Sequence, residues 1–440
     1  MLLNILEKRL FDGLRRCFRA LRSGCVAVRI VVGVFAGVIA NAESDTEVID
    51  IGSITRESDG APIPIRVEST DSALASVMRK LFATHGAYVL VEPEDTDFSG
   101  FVFRFDPVDA GVVRLTVESG RPGQTQFTRD VSGPGTATAA VLAGDLAVRK
   151  TLDIPGYFSG KLAFVSDATG TTEIYVADMA FESVRRLTSD GAYCGGPTIS
   201  PDGRKLLYTS YFRNGFPDIY DIDLTSGKRS LFAGYKGTNT GATFHPSGHE
   251  VAMVTSATGN AELYVCDTRG KIRRRLTRTE SAVEADPSWS PDGKRIVFTS
   301  DRLGRPQLFQ TNAAGGSANR VPTKISGYCA EPDWNPRKPD EIVFTIRQGR
   351  GFKIAIFRFS TGRSSVLKTP PGDAVEPVWT GDGRHLVFTL RSGPRRRLML
   401  FDTVTGKSSF LHRGAFGNTF QADYLYSPAN IMPIFQKIER

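Results

Sequence analysis

The sequence predicts a mixed fold, an N-terminal α/β domain followed by an all-β six-bladed β-propeller, and three observations lead there. A turn motif recurs about every 45 residues from residue 161 to residue 428. Short β-type runs fill each interval. Composition shifts near residue 155, before which the apolar residues fall into helical stripes as well as short extended runs.

The turn motif is Ser200-Pro201-Asp202-Gly203, His245-Pro246-Ser247-Gly248, Ser290-Pro291-Asp292-Gly293, Asn335-Pro336, Thr380-Gly381-Asp382-Gly383 and Ser427-Pro428. Pro presets φ, Asp bonds nearby backbone and Gly tolerates positive φ, so each is a turn. From Pro201 to Pro246, Pro291, Pro336 and Gly381 each step is 45 residues, and the last, to Pro428, is 47. A period of this size built from short strands is the signature of a propeller, one four-stranded blade per repeat. Six anchors give six blades.

Within the clearest repeat, residues 283–289 form the first strand, 295–300 the second, 306–310 the third and 319–323 a weaker, polar fourth. The second strands at 205–210, 250–255, 295–300, 341–346 and 385–390 are almost continuously apolar, as strands sandwiched between neighbouring blades should be. The fourth strands are polar and basic, as in Ile272-Arg-Arg-Arg275. Charge on an outermost strand blocks edge-to-edge pairing, and we prefer that reading to a nucleic-acid patch. Phase shows how the ring closes. The repeats open at Lys161 with a second strand, 162–166, and end with a lone first strand, 421–426. Together these halves are expected to complete one blade and remove two free edges.

Residues 1–42 read as an export signal rather than as part of the fold. A basic stretch precedes the apolar run 30–39 and an Ala40-Asn41-Ala42 cleavage site, which places the cut between Ala42 and Glu43. Ten apolar residues are too few to span a bilayer, so no membrane insertion is expected after cleavage. The signal holds seven Lys/Arg and two acids, so its removal lowers the net charge from +8 to +3 and nucleic acid is not implied as a partner. Cys194, Cys266 and Cys329 remain. Cys194 and Cys329 stand at equivalent places in different blades, so no disulfide is expected between them, and all three read as buried small hydrophobes.

The α/β domain is assigned to residues 43–152, the propeller to 153–428 and a tail to 429–440. Residues 48–54 and 63–67 are extended. A helix over 71–84 has apolar residues at 74, 77, 78, 81 and 82, with Thr70 or Asp71 as cap and Gly86 as stop. Strands follow at 88–91, 101–105, 112–117 and 126–131, then a helix at 136–151 and a hinge at Ile154-Pro155-Gly156.

Three stretches together resemble the periplasmic TolB proteins of double-membrane bacteria. Residues 146–167 are similar to that family's junction between helix and first blade. Residues 289–309, from Trp289-Ser-Pro-Asp-Gly293 onward, are similar to its most typical blade, and Glu173-Ile-Tyr-Val-Ala-Asp178 to its usual third strand. The fourth anchor, Asn335-Pro-Arg-Lys-Pro-Asp340, departs from the pattern. The resemblance implies a soluble periplasmic component of the Tol–Pal envelope complex. Its propeller would bind the peptidoglycan-associated lipoprotein Pal, and its mature amino terminus would engage the inner-membrane protein TolA. Outer-membrane integrity and constriction at cell division would depend on that coupling.

Residues fit for catalysis are few. Gly156-Tyr-Phe-Ser159-Gly160 has the wrong spacing for a nucleophile elbow. His245 and His249 are four apart, but Pro246 and Gly248 put them on a turn. His85, His385 and His412 are isolated in the sequence, so no catalytic residue and no metal ligand set is assigned. One constellation stands out. Five residues before each anchor are Gly196, Gly241, Asp286, Glu331, Glu376 and Asp423. First strands line a propeller's channel, so four successive blades would present carboxylates at one end of it. These acids either bond backbone amides and set the blades, or form the acidic side of a partner-binding mouth. A Ca²⁺ could bridge two of them, and a lyase or glycosidase could use them. A binding module is the favoured reading, because no acid–base pair stands apart from a ring of equivalents.

Overall fold

The computed structural model describes residues 61–92, 99–119, 123–414 and 416–425. The expected signal with its Ala42–Glu43 junction, the extended run at 48–54, the last anchor and the tail lie outside these. The α/β domain comprises β1 (Ile63–Glu68), α1 (Ser72–Thr84), β2 (Tyr88–Leu90), β3 (Phe101–Asp109), β4 (Val112–Ser119), β5 (Gln124–Ser132) and α2 (Thr136–Leu152). The sheet order is β2-β1-β3-β4-β5, with β1 parallel to both neighbours and the other pairs antiparallel. Strict alternation in β1 buries Ile63, Ile65 and Val67 on the face the helices cover. Asp71 caps α1, its carboxylate accepting from the N–H groups of Ala73 and Leu74. Leu74, Met78, Leu81 and Phe82 are the buried stripe of α1. On α2 the buried residues are mostly small, with Ala139, Ala140, Ala143, Gly144 and Ala147 among them, so this helix lies close on the sheet.

Six four-stranded antiparallel sheets follow, as the repeat requires. Blades 1 to 5 span residues 194–233, 239–275, 284–320, 329–366 and 373–410. The sixth is built from both ends of the propeller. Its inner strand, Thr419–Leu425, pairs antiparallel with Lys161–Ser166, setting Thr419 opposite Ser166 and Tyr424 opposite Leu162. Phe420 is buried in the core between blades 6 and 1 with Val165, Tyr208 and Tyr220. Second strands such as Arg295–Ser300 are buried from their second residue on, which explains their continuous apolarity.

The anchors are local hydrogen-bond devices. In Ser290-Pro-Asp-Gly293 the Ser290 hydroxyl donates to Asp292 at 2.6 Å, and Asp292 accepts the Lys294 N–H at 3.1 Å. Gly293 has φ +68°, and a Cβ there would collide with the His245 ring of the neighbouring blade, so glycine is required twice over. Asn335 fills the Asp role in the divergent fourth anchor, its Oδ1 accepting the N–H groups of Arg337 and Lys338 at 2.9 Å each.

The α/β domain sits on the face that carries the anchors. One apolar cluster runs through both, joining Met78, Phe82 and Phe158 to Val387, Leu398 and Leu400 of blade 5. The passage expected as a hinge is pinned. Buried Asp145 on α2 accepts the N–H groups of Phe158 at 2.8 Å and Ser159 at 3.0 Å. Tyr424 of the closing strand donates to the Tyr157 carbonyl at 2.7 Å. Cys194, Cys266 and Cys329 are free and buried, and burial pushes the Cys194 and Cys266 thiols up to about 12.

Candidate functional site

Every inner strand carries a β-bulge where its register to the second strand shifts. Within it one residue takes the left-handed conformation. These residues are Gly196, Gly241, Asp286, Glu331, Glu376 and Gln421, with φ between +47° and +61°. A bulge aims its side chain out of the ladder, here into the channel. The six positions are 45 residues apart throughout, which corrects one member of the expected ring. The sixth equivalent is Gln421, not Asp423. Counting back from Pro428 carried the two extra residues of the last repeat into the assignment. Asp423 instead belongs to a deeper tier with Ser288 and Asp333, facing the middle of the channel.

Side chains of the upper tier fasten successive blades from blade 3 round to blade 1. Thr299 donates to Asp286 at 3.2 Å and accepts the Glu331 N–H at 3.1 Å. Glu331 Oε2 accepts from the Thr345 hydroxyl at 2.6 Å and from the Glu376 N–H at 2.8 Å. Glu376 Oε2 does the same with Thr389 at 2.7 Å and the Gln421 N–H at 3.2 Å. Gln421 Oε1 completes the run by accepting the Gly196 N–H at 3.0 Å. In the deeper tier Ser288 accepts the Trp334 N–H at 3.0 Å, Asp333 that of Trp379 at 2.8 Å, and Asp423 that of Ile199 at 2.7 Å. All four predicted site residues are therefore acceptors within the blade framework, and each uses one oxygen for it.

Their electrostatics are those of crowded acids. Burial, then repulsion from Glu376 and Asp286, pushes Glu331 up to about 7. Burial dominates at Asp423, which reaches about 7, and at Asp333, which reaches about 6. Asp286 also rises, chiefly by burial. The ring encloses a cavity of about 220 Å³, continuous with one of about 340 Å³ toward the anchors. Arg391 pairs with Glu376 at 3.2 Å and offsets part of the negative charge at the rim.

Inner strands begin at this acidic end and finish at the anchors, so the acidic mouth opens on the face away from the α/β domain. Aromatic residues of blades 1 and 4 stand on this face. Tyr193 and Tyr211 meet edge to face at 5.6 Å, as do Tyr328 and Phe352 at 5.5 Å. Phe212 and Phe216, on the loop after the second strand of blade 1, are 49% and 58% exposed. Such a site suits a folded partner that brings a cationic or donor group to the mouth and apolar surface to the rim. For Ca²⁺ the fit is poor. Among the described residues no three channel carboxylates bring an oxygen each within 4.8 Å of one another.

One constellation escaped the sequence. His85 and His385 are isolated in the sequence, and the fold puts their rings 4.6 Å apart between the α/β domain and blade 5, with Asp402 beside them. Nothing in the spacing announces a pair separated by 300 residues and held on two domains. His245 is in the expected turn, bonded through Nδ1 to Ser247.

Comparison with known proteins agrees with this architecture. A family model described as "TolB beta propeller domain" matches residues 150–416. The Tol-Pal system protein TolB of Desulfosudis oleivorans is 34% identical over 125 residues, 28% of each chain. That of Anaeromyxobacter dehalogenans is 32% identical over 173 residues, 39% of each. These matches thus span well under half the length of the relatives. The crystal structure of TolB from Acinetobacter baumannii superposes with a TM-score of 0.72 over 83% of this chain and 96% of its own, at 23% identity, a likeness of fold.

Proposed function

The chain belongs to the TolB β-propeller family, and from that premise we propose that it is a non-enzymatic interaction protein of a periplasmic Tol–Pal system. In this reading the acidic mouth and its aromatic rim receive a Pal-like lipoprotein, and the segment beginning at Glu43 engages a TolA-like inner-membrane protein. Its role would be outer-membrane integrity and cell division. The carrying observation is the rim. Tyr193, Tyr211, Phe212 and Phe216 are exposed on the face of the propeller at which the cavity ringed by Asp286, Glu331 and Glu376 opens. Clustered exposed aromatics mark contact surfaces, and Tyr is a preferred anchor of binding energy.

The test is calorimetric titration of the mature protein with the periplasmic domain of the Pal-like lipoprotein from the same cell. Replacing Tyr211 and Phe216 by Ala should weaken binding at least tenfold and leave the circular dichroism spectrum unchanged. Unchanged affinity would reject the rim as the binding surface. A lyase or glycosidase using the channel acids is the poorer reading, because each acid already accepts a hydrogen bond that holds the fold.

Periplasmic location rests on residues 1–42, and no helix among the described residues is long and apolar enough to cross a membrane. Amino-terminal sequencing of protein from the periplasmic fraction should begin at Glu43. Residues 1–42 still attached would refute the cleavage at Ala42.

A further inference from the structure

Between the α/β domain and blade 5 lies a fully buried group of polar side chains that the channel does not use. His85 follows the last turn of α1, where its backbone N–H donates to the Phe82 carbonyl. His385 opens the second strand of blade 5, and Asp402 ends the third. One donor atom from each of the three lies within 4.8 Å of the other two. Two further observations point to a ligand. His85 Nε2 is buried and makes no hydrogen bond, an expensive state for a polar atom. His385 Nδ1 is held by Asp382 Oδ2 at 2.6 Å, which aims its Nε2 toward Asp402 Oδ2 at 3.3 Å. A carboxylate behind an imidazole in this way is the usual second shell of a metal-bound histidine.

We propose that His85 Nε2, His385 Nε2 and Asp402 Oδ2 form a site for one divalent transition-metal ion of the zinc class, shared by the two domains. Bonds of about 2.0–2.2 Å in a tetrahedral shell set ligand atoms about 3.3–3.6 Å apart, a separation that His385 Nε2 and Asp402 Oδ2 already have at 3.3 Å, while one donor atom of each of the three residues lies within 4.8 Å of the others. Two imidazoles and one carboxylate favour zinc, nickel or copper over calcium or magnesium. Asp402 is already positioned. Its Oδ1 accepts the N–H groups of Val404 and Thr405, and Arg384 holds Oδ2 at 2.7 Å.

Two cations also border the pocket: Arg384 bonds Asp402 Oδ2, and the Lys407 Nζ reaches the His85 carbonyl at 3.4 Å. Binding through His85 Nε2 places hydrogen on Nδ1 and gives up the 3.2 Å bond from the Ala87 N–H. Tyr157, stacked on His85 at 5.8 Å and tilted against His385 at 4.5 Å, covers the pocket.

The test uses the mature protein stripped with EDTA and titrated with Zn²⁺ by calorimetry at pH 8 and pH 6. One ion per chain should bind in the micromolar range or tighter at pH 8, at least tenfold more weakly at pH 6, and raise the melting temperature. Ca²⁺ and Mg²⁺ should do neither. His85→Gln should abolish zinc binding. Binding that survives both His85→Gln and Asp402→Asn, or no binding at pH 8, would overturn the proposal. Should those variants fail to fold, X-ray absorption at the zinc edge of the wild type decides. A shell of two imidazoles with oxygen supports the site, and one with sulfur or oxygen alone refutes it.

Discussion

The Glu376 backbone N–H donates to the Glu331 carboxylate at 2.8 Å, so an acid facing the channel from one blade is the acceptor that fixes the inner strand of the next. Among the described residues Glu331 has no cationic partner. Its charge is borne in a confined space beside Asp286 and Glu376, and the same oxygen also takes the Thr345 hydroxyl. The group is therefore at once a fastener and a source of repulsion, and the two roles respond differently to pH and to substitution.

The pH response has a definite sign. Glu331 is raised in the folded protein from 4.5 to about 7, so the native state holds a proton that the unfolded chain has already lost. Its contribution to stability is fully present below pH 4.5 and disappears as pH rises through 7. Asp423, raised to about 7, acts in the same direction. Urea unfolding at pH 5 and pH 8 should show Glu331→Gln narrowing the gap between the two conditions by on the order of 1 kcal/mol, discounted for water in the channel.

Neutralising two channel acids separates fastening from binding. Glu331→Gln with Glu376→Gln keeps a carbonyl oxygen for each N–H and removes the charge. If the acids contact a Pal-like partner, affinity should fall at least tenfold while the melting temperature barely moves. Glu331→Ala with Glu376→Ala removes the acceptors as well and should cost about 1–3 kcal/mol at each position. Intact affinity in the Gln pair would end the partner role for these residues.

Ring closure should be indispensable. Deleting residues 419–440 removes the inner strand of blade 6 and bares the edge of Lys161–Ser166. The expected outcome is aggregation or loss of a single cooperative melt. Phe420→Ala is the gentler probe, and a cavity at this buried position should cost about 3–5 kcal/mol by urea titration.

The linker should loosen when Asp145 is lost. Asp145→Ala leaves the buried N–H groups of Phe158 and Ser159 without their acceptor, at a cost of about 2 kcal/mol or more. Limited proteolysis should then cut between residues 154 and 160 well before the wild type is cut there. Asp145→Asn, which keeps one oxygen, should fall between the two.

Much of this fold is legible because its rules are local. Anchors such as Ser290-Pro-Asp-Gly293 are turns by their own chemistry, and a strand such as Arg295–Ser300 is apolar because blades cover both its faces. Phase then forces the closure by Thr419–Leu425. The channel was legible only in part. Its period is kept by the bulge, a backbone feature, so a count from the prolines points to Asp423 where Gln421 stands. His85 and His385 gave no signal at all, since their meeting depends on how one domain docks on another.

Two bulge positions are glycine, and they are adjacent around the ring. Gly196 and Gly241 have no side chain with which to hold the blade that follows. Three successive joints from blade 3 to blade 6, and the joint from blade 6 to blade 1, carry side-chain ties at the channel. Between blades 2 and 3 the comparable tie is the Trp289 indole on the Thr243 carbonyl, and between blades 1 and 2 there is none at either tier among the described residues. The hub is thus stiff over most of its circumference and compliant at one seam. Thermal opening should concentrate there, with the fastest amide exchange on the inner strand of blade 2. Anything wedged into the mouth will spread the ring at that seam, next to the loop bearing Phe212 and Phe216.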